Sequence, residues 1–213
     1  MEELTQQYLT QLLPQSTGWA ERLEADAKAD HVPIMDPLGI RFLTQLIRIQ
    51  QPKRILEVGT AIGYSALKML EASPEATIVT MERDEQRYQE AIRNIAACDK
   101  ATQIHVQLGD ALEYMERLRE TAQQFDFIFI DAAKGQYGKF FDLAHDLLAS
   151  EGSIVTDNVL FRGYVAGSGD IPKKYINMVK KLRAYNEMLM NHPDYSTTIM
   201  PIGDGVAVSL RLS

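Results

Sequence analysis

Two apolar runs in the second half of the chain each end in acidic or amide side chains that could hold a cation. Asp131 follows FDFIFI at 125–130, with Lys134 three residues further on, and Asp157 and Asn158 follow GSIVT at 152–156. If these runs are neighbouring strands, their ends pool three oxygen donors and one amine in one crevice. Oxygen-only donors suit a hard divalent cation such as Mg2+ rather than Zn2+. A single Asp after a buried strand more often caps the next helix or starts a turn. Three such residues with a lysine are harder to account for in that way.

A second group lies earlier. ILEVGTAIGYS at 55–65 has the form of a strand, a glycine turn and a helix start, with Gly59 and Gly63 permitting close backbone approach to a ligand. The spacing is Gly-x-x-x-Gly, not the Gly-x-Gly-x-x-Gly of a dinucleotide fold, which disfavours a pyrophosphate-binding turn. Glu82 ends the next apolar run 19 residues after Gly63, where a carboxylate can accept both ribose hydroxyls of a nucleoside. Glu57, Glu82, Asp110 and Asp131 together make that edge hostile to phosphates and favourable to a sulfonium cation, so S-adenosylmethionine fits better than NAD.

The elements that must position these residues alternate from residue 53 onward. KRILEV, TIVTME, QIHVQL, FDFIFI and GSIVT read as strands, separated by helices over 63–71, 84–98, from 111 and from about 137. Tyr88, Ala91, Ile92, Ile95 and Cys98 mark the inward face of the second of these helices. Short runs that are apolar throughout imply strands covered on both faces, and βα alternation implies a parallel, right-handed, doubly wound sheet. YSTTIMPIGDGVAVSLRL breaks the rhythm and reads as a hairpin with a Gly-Asp-Gly turn, putting an antiparallel strand at the sheet edge. Helices are expected at about 2–13, 17–29 and 36–50, a cap over 1–52 preceding a domain at 53–213 in what is overall one compact unit. That cap would cover the crevice, make a subunit contact, or both.

Composition narrows the class. A chain of 213 residues, 46% apolar and with net charge -7, suits one substantial core and argues against indiscriminate binding to nucleic acid or membrane. No apolar stretch approaches the ~18 residues of a membrane span, and the acidic start lacks a signal-peptide pattern, so a soluble cytoplasmic protein is expected. Cys98 reads as a buried structural thiol. His31, His105, His145 and His192 show no mutual metal-ligand spacing and read as ordinary histidines, while Trp19 and Tyr164 could stack on a ring or serve packing.

ILEVGTAIGYSA, TMERD, GDA at 109–111, FIDAAK, TDNVL at 156–160 and PIGDGVAVS at 201–209, taken in order, resemble the cation-dependent O-methyltransferases, the catechol and caffeoyl-CoA group. The resemblance covers essentially residues 30–213 and looks closest to bacterial members that convert 5-hydroxyuridine in tRNA to 5-methoxyuridine. It implies an α/β, mostly parallel seven-stranded class I methyltransferase sheet, commonly as a homodimer. It also implies that Asp131, Asp157 and Asn158 carry the metal and that Met35, Glu57, Gly59, Thr60, Ser65, Glu82, Ala111 and Asp131 line the S-adenosylmethionine site. Lys134 would match the family's catalytic lysine. The loop FRGYVAGSGDIPKK at 161–174 is unlike that of the plant phenylpropanoid enzymes, whose substrates therefore do not carry over.

Methyl transfer to oxygen is an in-line displacement helped by holding the reactants close, an effect worth roughly 7–11 kcal/mol. Mg2+ would chelate two neighbouring acceptor oxygens and acidify one of them. A dication beside an amine disfavours its ammonium form, which would let Lys134 take the proton. A catechol and 5-hydroxyuracil both offer the vicinal oxygens. The run IPKKYINMVKKLR at 171–183 carries Lys173, Lys174, Lys180, Lys181 and Arg183 with no acid. As a helix it would bury Ile171, Tyr175, Met178, Leu182 and Tyr185, and its outward cations would form a solvated face or a track for a phosphate backbone. Transfer to tRNA is the favoured expectation, a small vicinal-dioxygen acceptor the alternative. A nicotinamide oxidoreductase and a non-catalytic tRNA- or subunit-binding module are the rivals from other classes.

Overall fold

The computed structural model describes residues 3–167 and 169–212; Met1 and Glu2 of the expected N-terminal segment, Ser168 of the 161–174 loop, and Ser213 lie outside the described residues. The chain divides into two compact units, Met1–Ala111 and Leu112–Ser213.

The first unit opens with α1 (Glu3–Gln11), α2 (Trp19–Ala29) and α3 (Pro37–Gln50). The start of α3 is set locally: Asp36 accepts from the Leu38 and Gly39 amides at 3.0 and 3.1 Å, and Pro37 brings a helical φ to the first turn. Then follow β1 (Arg54–Val58), α4 (Tyr64–Ala72), β2 (Thr77–Glu82), α5 (Glu85–Ala97) and β3 (Ile104–Leu108). The strands are parallel in the order β3-β2-β1, with Glu57 opposite Thr80 and Glu82 opposite Leu108. Ile55, Leu56, Glu57 and Val58 are all fully enclosed, as a strand covered on both faces requires. On α5 the buried face is narrower than the spacing suggests. Ala91 and Ile95 are buried, Tyr88 and Cys98 half-buried, and Ile92 is 38% exposed. The helix starts from Asp84, which accepts the Arg87 amide at 3.0 Å, and Cys98 already lies at its C-cap.

The second unit continues from α6 (Ala111–Arg119) through β4 (Phe125–Ile130), a 3-10 turn at Lys134–Gln136, α7 (Tyr137–Leu147) and β5 (Leu148–Thr156). A second 3-10 turn at Lys173–Tyr175 leads into α8 (Ile176–Met190), β6 (Tyr195–Met200) and β7 (Val206–Arg211). Its strands run β4-β5-β7-β6, with β4 and β5 parallel and β7 antiparallel to both neighbours. The expected hairpin is present, with β6 as its outer strand. Phe125, Phe127, Phe129, Tyr137 and Phe141 fill the core of this unit, where truncating a phenylalanine costs about 3–5 kcal/mol. In α8 the buried stripe is Val179, Leu182, Tyr185 and Leu189; Ile171 and Tyr175 precede the helix proper, which begins at Ile176, and are half-buried, as is Met178 within it. No helix among the described residues is long and apolar enough to cross a membrane.

Candidate active site

In the first unit the turns after β1 and β3 converge on the end of β2. The Gly59 and Thr60 amides both donate to the Met81 carbonyl at 3.2 and 3.1 Å, and the Gly109 amide donates to the Glu82 carbonyl at 2.9 Å. The Glu82 side chain completes the join, accepting from the Ala61 amide through one oxygen and the Asp84 amide through the other, each at 2.9 Å. A carboxylate offers about four acceptor positions, so two remain for ligand hydroxyls. Gly63 caps α4 at φ 86, a left-handed conformation that side-chain-bearing residues rarely adopt.

Glu57 has a different setting. It is fully buried, with Ser65 donating to one oxygen at 2.5 Å and Thr80 to the other at 2.6 Å. Because the Thr80 proton is committed there, the 2.6 Å contact between the Thr60 and Thr80 hydroxyls has Thr60 as donor. A chain thus runs Thr60, Thr80, Glu57, Ser65 beneath the glycine turn. Thr80 was not among the expected site residues; its only signal in the sequence is a polar residue at an inward position of β2. Ala111 starts α6 beside Gly109, and Met35 packs near Gly39 in α3. Trp19, open to ring stacking on sequence grounds, instead has the Lys68 ammonium 5.0 Å from its ring and Tyr64 beside it. Burial, then the hydrogen bond to Glu24, pushes the Tyr64 hydroxyl far above its ordinary pKa.

In the second unit, Ile130 pairs with Thr156 and the Asp157 amide donates to the Ile130 carbonyl at 3.0 Å, so Asp131 and Asp157 leave adjacent strands at one level. Asp157 is buried, and its Oδ1 accepts the Asn158 amide at 2.7 Å. Asn158 takes φ 57, which its short polar side chain tolerates. Its Oδ1 receives the Lys134 ammonium at 2.5 Å. Burial pushes the Asp131 carboxyl above the ordinary carboxylate range, with Lys134 pulling the other way. Tyr137, absent from the expected set, donates to the Asp157 carbonyl at 2.9 Å; burial first, then Asp131 and Asp157, keep its hydroxyl protonated. One buried and one half-buried carboxylate against one ammonium leave a site short of positive charge, and its hard oxygen donors fit a divalent cation.

The loop that follows is braced by the β6–β7 turn. Val159 donates to the Gly205 carbonyl at 2.9 Å, and Leu160 and Phe161 to the Asp204 carbonyl at 2.8 and 3.0 Å. A Cβ on Gly205 would lie 2.4 Å from the Leu160 side chain and 2.8 Å from its amide nitrogen, so only glycine fits. Beyond the brace, Phe161, Tyr164 and Tyr175 form an aromatic cluster with centroids 5.2–6.3 Å apart. Lys134 lies 5.9 Å from the Phe161 ring and Arg162 5.9 Å from that of Tyr175. The cations of 173–183 are exposed, but one of them holds this loop, Arg183 donating to the Val165 and Tyr164 carbonyls, while Lys181 donates to the Gly135 carbonyl in the turn after β4.

A family model described as O-methyltransferase matches residues 21–212. The chain is 31% identical over 179 residues to a caffeoyl-CoA O-methyltransferase of Mesembryanthemum crystallinum, covering 81% of this chain and 70% of that protein. A Staphylococcus aureus structure, provisionally assigned as a caffeoyl-CoA O-methyltransferase, is 38% identical with TM-score 0.90, over 99% of this chain and 100% of that one. An O-methyltransferase from Bacillus cereus in complex with SAH is 27% identical with TM-score 0.84, over 98% and 97%. The expected seven-stranded α/β methyltransferase class with a C-terminal antiparallel hairpin is thereby borne out.

Proposed function

The chain belongs to the O-methyltransferase family, and we propose that it transfers the methyl group of S-adenosylmethionine, with a divalent cation, to the 5-hydroxyl of 5-hydroxyuridine in tRNA. The observation that carries the reading is the placement of Lys134 on Asn158, next to the buried Asp157 and the charge-poor Asp131. The Bacillus cereus relative binds SAH, the demethylated form of this donor, which supports the choice of cofactor.

In this reading Glu82 accepts the ribose hydroxyls of the donor, while the Thr60–Thr80–Glu57–Ser65 chain fixes the turn at Gly59 and Gly63. Met35 and Ala111 complete that set. Asp131, Asp157 and Asn158 hold the cation, which when bound supplies Lewis-acid charge that acidifies an acceptor hydroxyl. Lys134 takes the hydroxyl proton at Nζ, and Asn158 Oδ1 then steadies the resulting ammonium. The acceptor oxygen forms its bond to the methyl carbon as the carbon–sulfur bond breaks, leaving neutral thioether product.

For the acceptor, Phe161, Tyr164 and Tyr175 offer flat surfaces on which a base can stack, and Lys173, Lys174 and Lys180 offer exposed positive charge. The caffeoyl-CoA relatives favour a second reading, a small catechol-type acceptor using the same proton-accepting lysine. Homodimer formation belongs to the same proposal, since Leu4 and Tyr8 on α1 and Leu12 just beyond it are exposed apolar side chains.

Nucleoside mass spectrometry of tRNA from cells lacking the protein tests the acceptor. Loss of 5-methoxyuridine with gain of 5-hydroxyuridine is expected. Unchanged tRNA, with efficient turnover of catechols by the purified enzyme, would replace the tRNA assignment with the small-molecule one.

A further inference from the structure

His145, His192 and Asp194 come together in the second unit, although their spacing along the chain gives no sign of it. His145 lies in the last turn of α7, and His192 and Asp194 lie between α8 and β6. One ligand atom from each residue lies within 4.8 Å of those of the other two. Both imidazoles are half-buried and Asp194 is exposed, so the group meets solvent on one side. The rings are already fixed by packing: His145 and His192 lie 5.8 Å apart, Tyr195 stands 5.8 and 4.9 Å from them, and Phe141 is 5.6 Å from His192.

Hydrogen bonding orients the donors. His145 Nδ1 is 3.1 Å from the Tyr195 hydroxyl. With the ring proton on Nδ1 and donated to that oxygen, Nε2 keeps its lone pair for a metal, the arrangement outer-sphere partners usually impose on ligating histidines. His192 Nδ1 accepts the Asp194 amide at 3.2 Å. Ligation through Nε2 there moves the proton to Nδ1 and gives up this long contact; ligation through Nδ1 displaces it directly.

We propose that His145, His192 and Asp194 form a second metal site, one that takes a transition-metal dication such as Zn2+ in preference to Mg2+. Two imidazoles and one carboxylate are the donor types that Zn2+ accepts with a water as fourth ligand. This set is distinct in chemistry from the oxygen-only group at Asp131, Asp157 and Asn158. Tetrahedral coordination at 2.0–2.2 Å places donors about 3.3 Å apart. The present separation therefore contracts on binding, and Asp194, exposed and rotatable, supplies most of the movement. The surrounding charge is balanced. Arg211 donates to the His145 and Leu148 carbonyls at 3.2 and 2.7 Å, and Arg119 pairs with Asp146 at 2.8 Å, against the carboxylate of Asp194. Coordination bonds, not a negative field, drive binding. A bound ion would fasten the end of α7 to the turn preceding β6.

The test uses the full-length protein saturated with Mg2+. Substoichiometric Cu2+ should broaden the imidazole proton resonances of His145 and His192 and spare those of His31 and His105. Calorimetry should show one Zn2+ bound at this site, weakened at least 10-fold by His192→Ala and severalfold by Asp194→Asn. The second variant changes an exposed side chain and keeps the fold even if the first does not. Equal broadening of all four histidines, or unchanged Zn2+ affinity in Asp194→Asn, would overturn the proposal.

Discussion

The Lys134 ammonium donates to Asn158 Oδ1 at 2.5 Å, joining the 3-10 turn after β4 to the residue that follows Asp157 after β5. This bond fixes the amine next to the acidic pair without consuming a carboxylate. Lys134→Ala should lower the chemical step ~10²–10⁴-fold, the usual loss on removing a general base, with much smaller changes in ligand affinity. Single-turnover kinetics at neutral pH check this, and an unchanged rate would reduce Lys134 to a brace for Asn158.

Excess chelator should abolish methyl transfer and added Mg2+ should restore it. Asp157→Asn retains an acceptor for the Asn158 amide while removing the buried charge, so the variant should remain folded and lose turnover. Full activity in chelator would remove the cation from the mechanism.

Thr80→Val keeps the volume of the side chain but deletes the donor to Glu57 and the acceptor for Thr60. A hydrogen bond to a charged group contributes about 1.5–3 kcal/mol, and urea denaturation should show a loss of that size. Donor affinity should fall as well, since Ser65 and the glycine turn depend on the same chain. Wild-type stability in the variant would mean that Glu57 is held by other partners.

Stability should decline in alkali. Burial, above all, raises the hydroxyl pKa values of Tyr64 and Tyr185 and brings Tyr195 up to about 12. Unfolded tyrosines ionise near 10, so the folded state holds these protons longer than the unfolded state does. Their contribution is complete below pH 10 and is lost as pH rises from there, through about 12 for Tyr195 and further still for Tyr64 and Tyr185. Absorbance titration should show these tyrosines lagging the rest, and Tyr195→Phe should fall less steeply in denaturation experiments. Simultaneous titration of every tyrosine near pH 10 with the fold intact would contradict this.

The strands were legible because FDFIFI and TIVTME are apolar or β-branched almost throughout, and the terminal hairpin because two glycines bracket Asp204. What stayed hidden depends on distance in space. Thr80 and Tyr137 look like ordinary strand and helix residues until Glu57 and the Asp157 carbonyl lie opposite them. His145 and His192 are far apart in sequence and meet only because α7 and the turn before β6 share an edge. Ile92 misled in the other direction: α5 buries a face only wide enough for Ala91 and Ile95, so helical spacing alone overstated it. Cys98 sits at the end of that helix, half-buried, with burial raising its thiol pKa, which agrees with an inert residue.

The close fit of Gly205 against Leu160 bears on the order in which the molecule can be made. The Asn158 loop emerges from the ribosome well before the β6–β7 turn whose carbonyls receive its amides. Until that turn arrives, Val159, Leu160 and Phe161 lack their native acceptors, so a nascent chain stalled before residue 202 would carry Asp131, Asp157 and Asn158 with the loop beyond them unbraced. The brace on the Asn158 loop is therefore among the later contacts of the second unit to become available during synthesis.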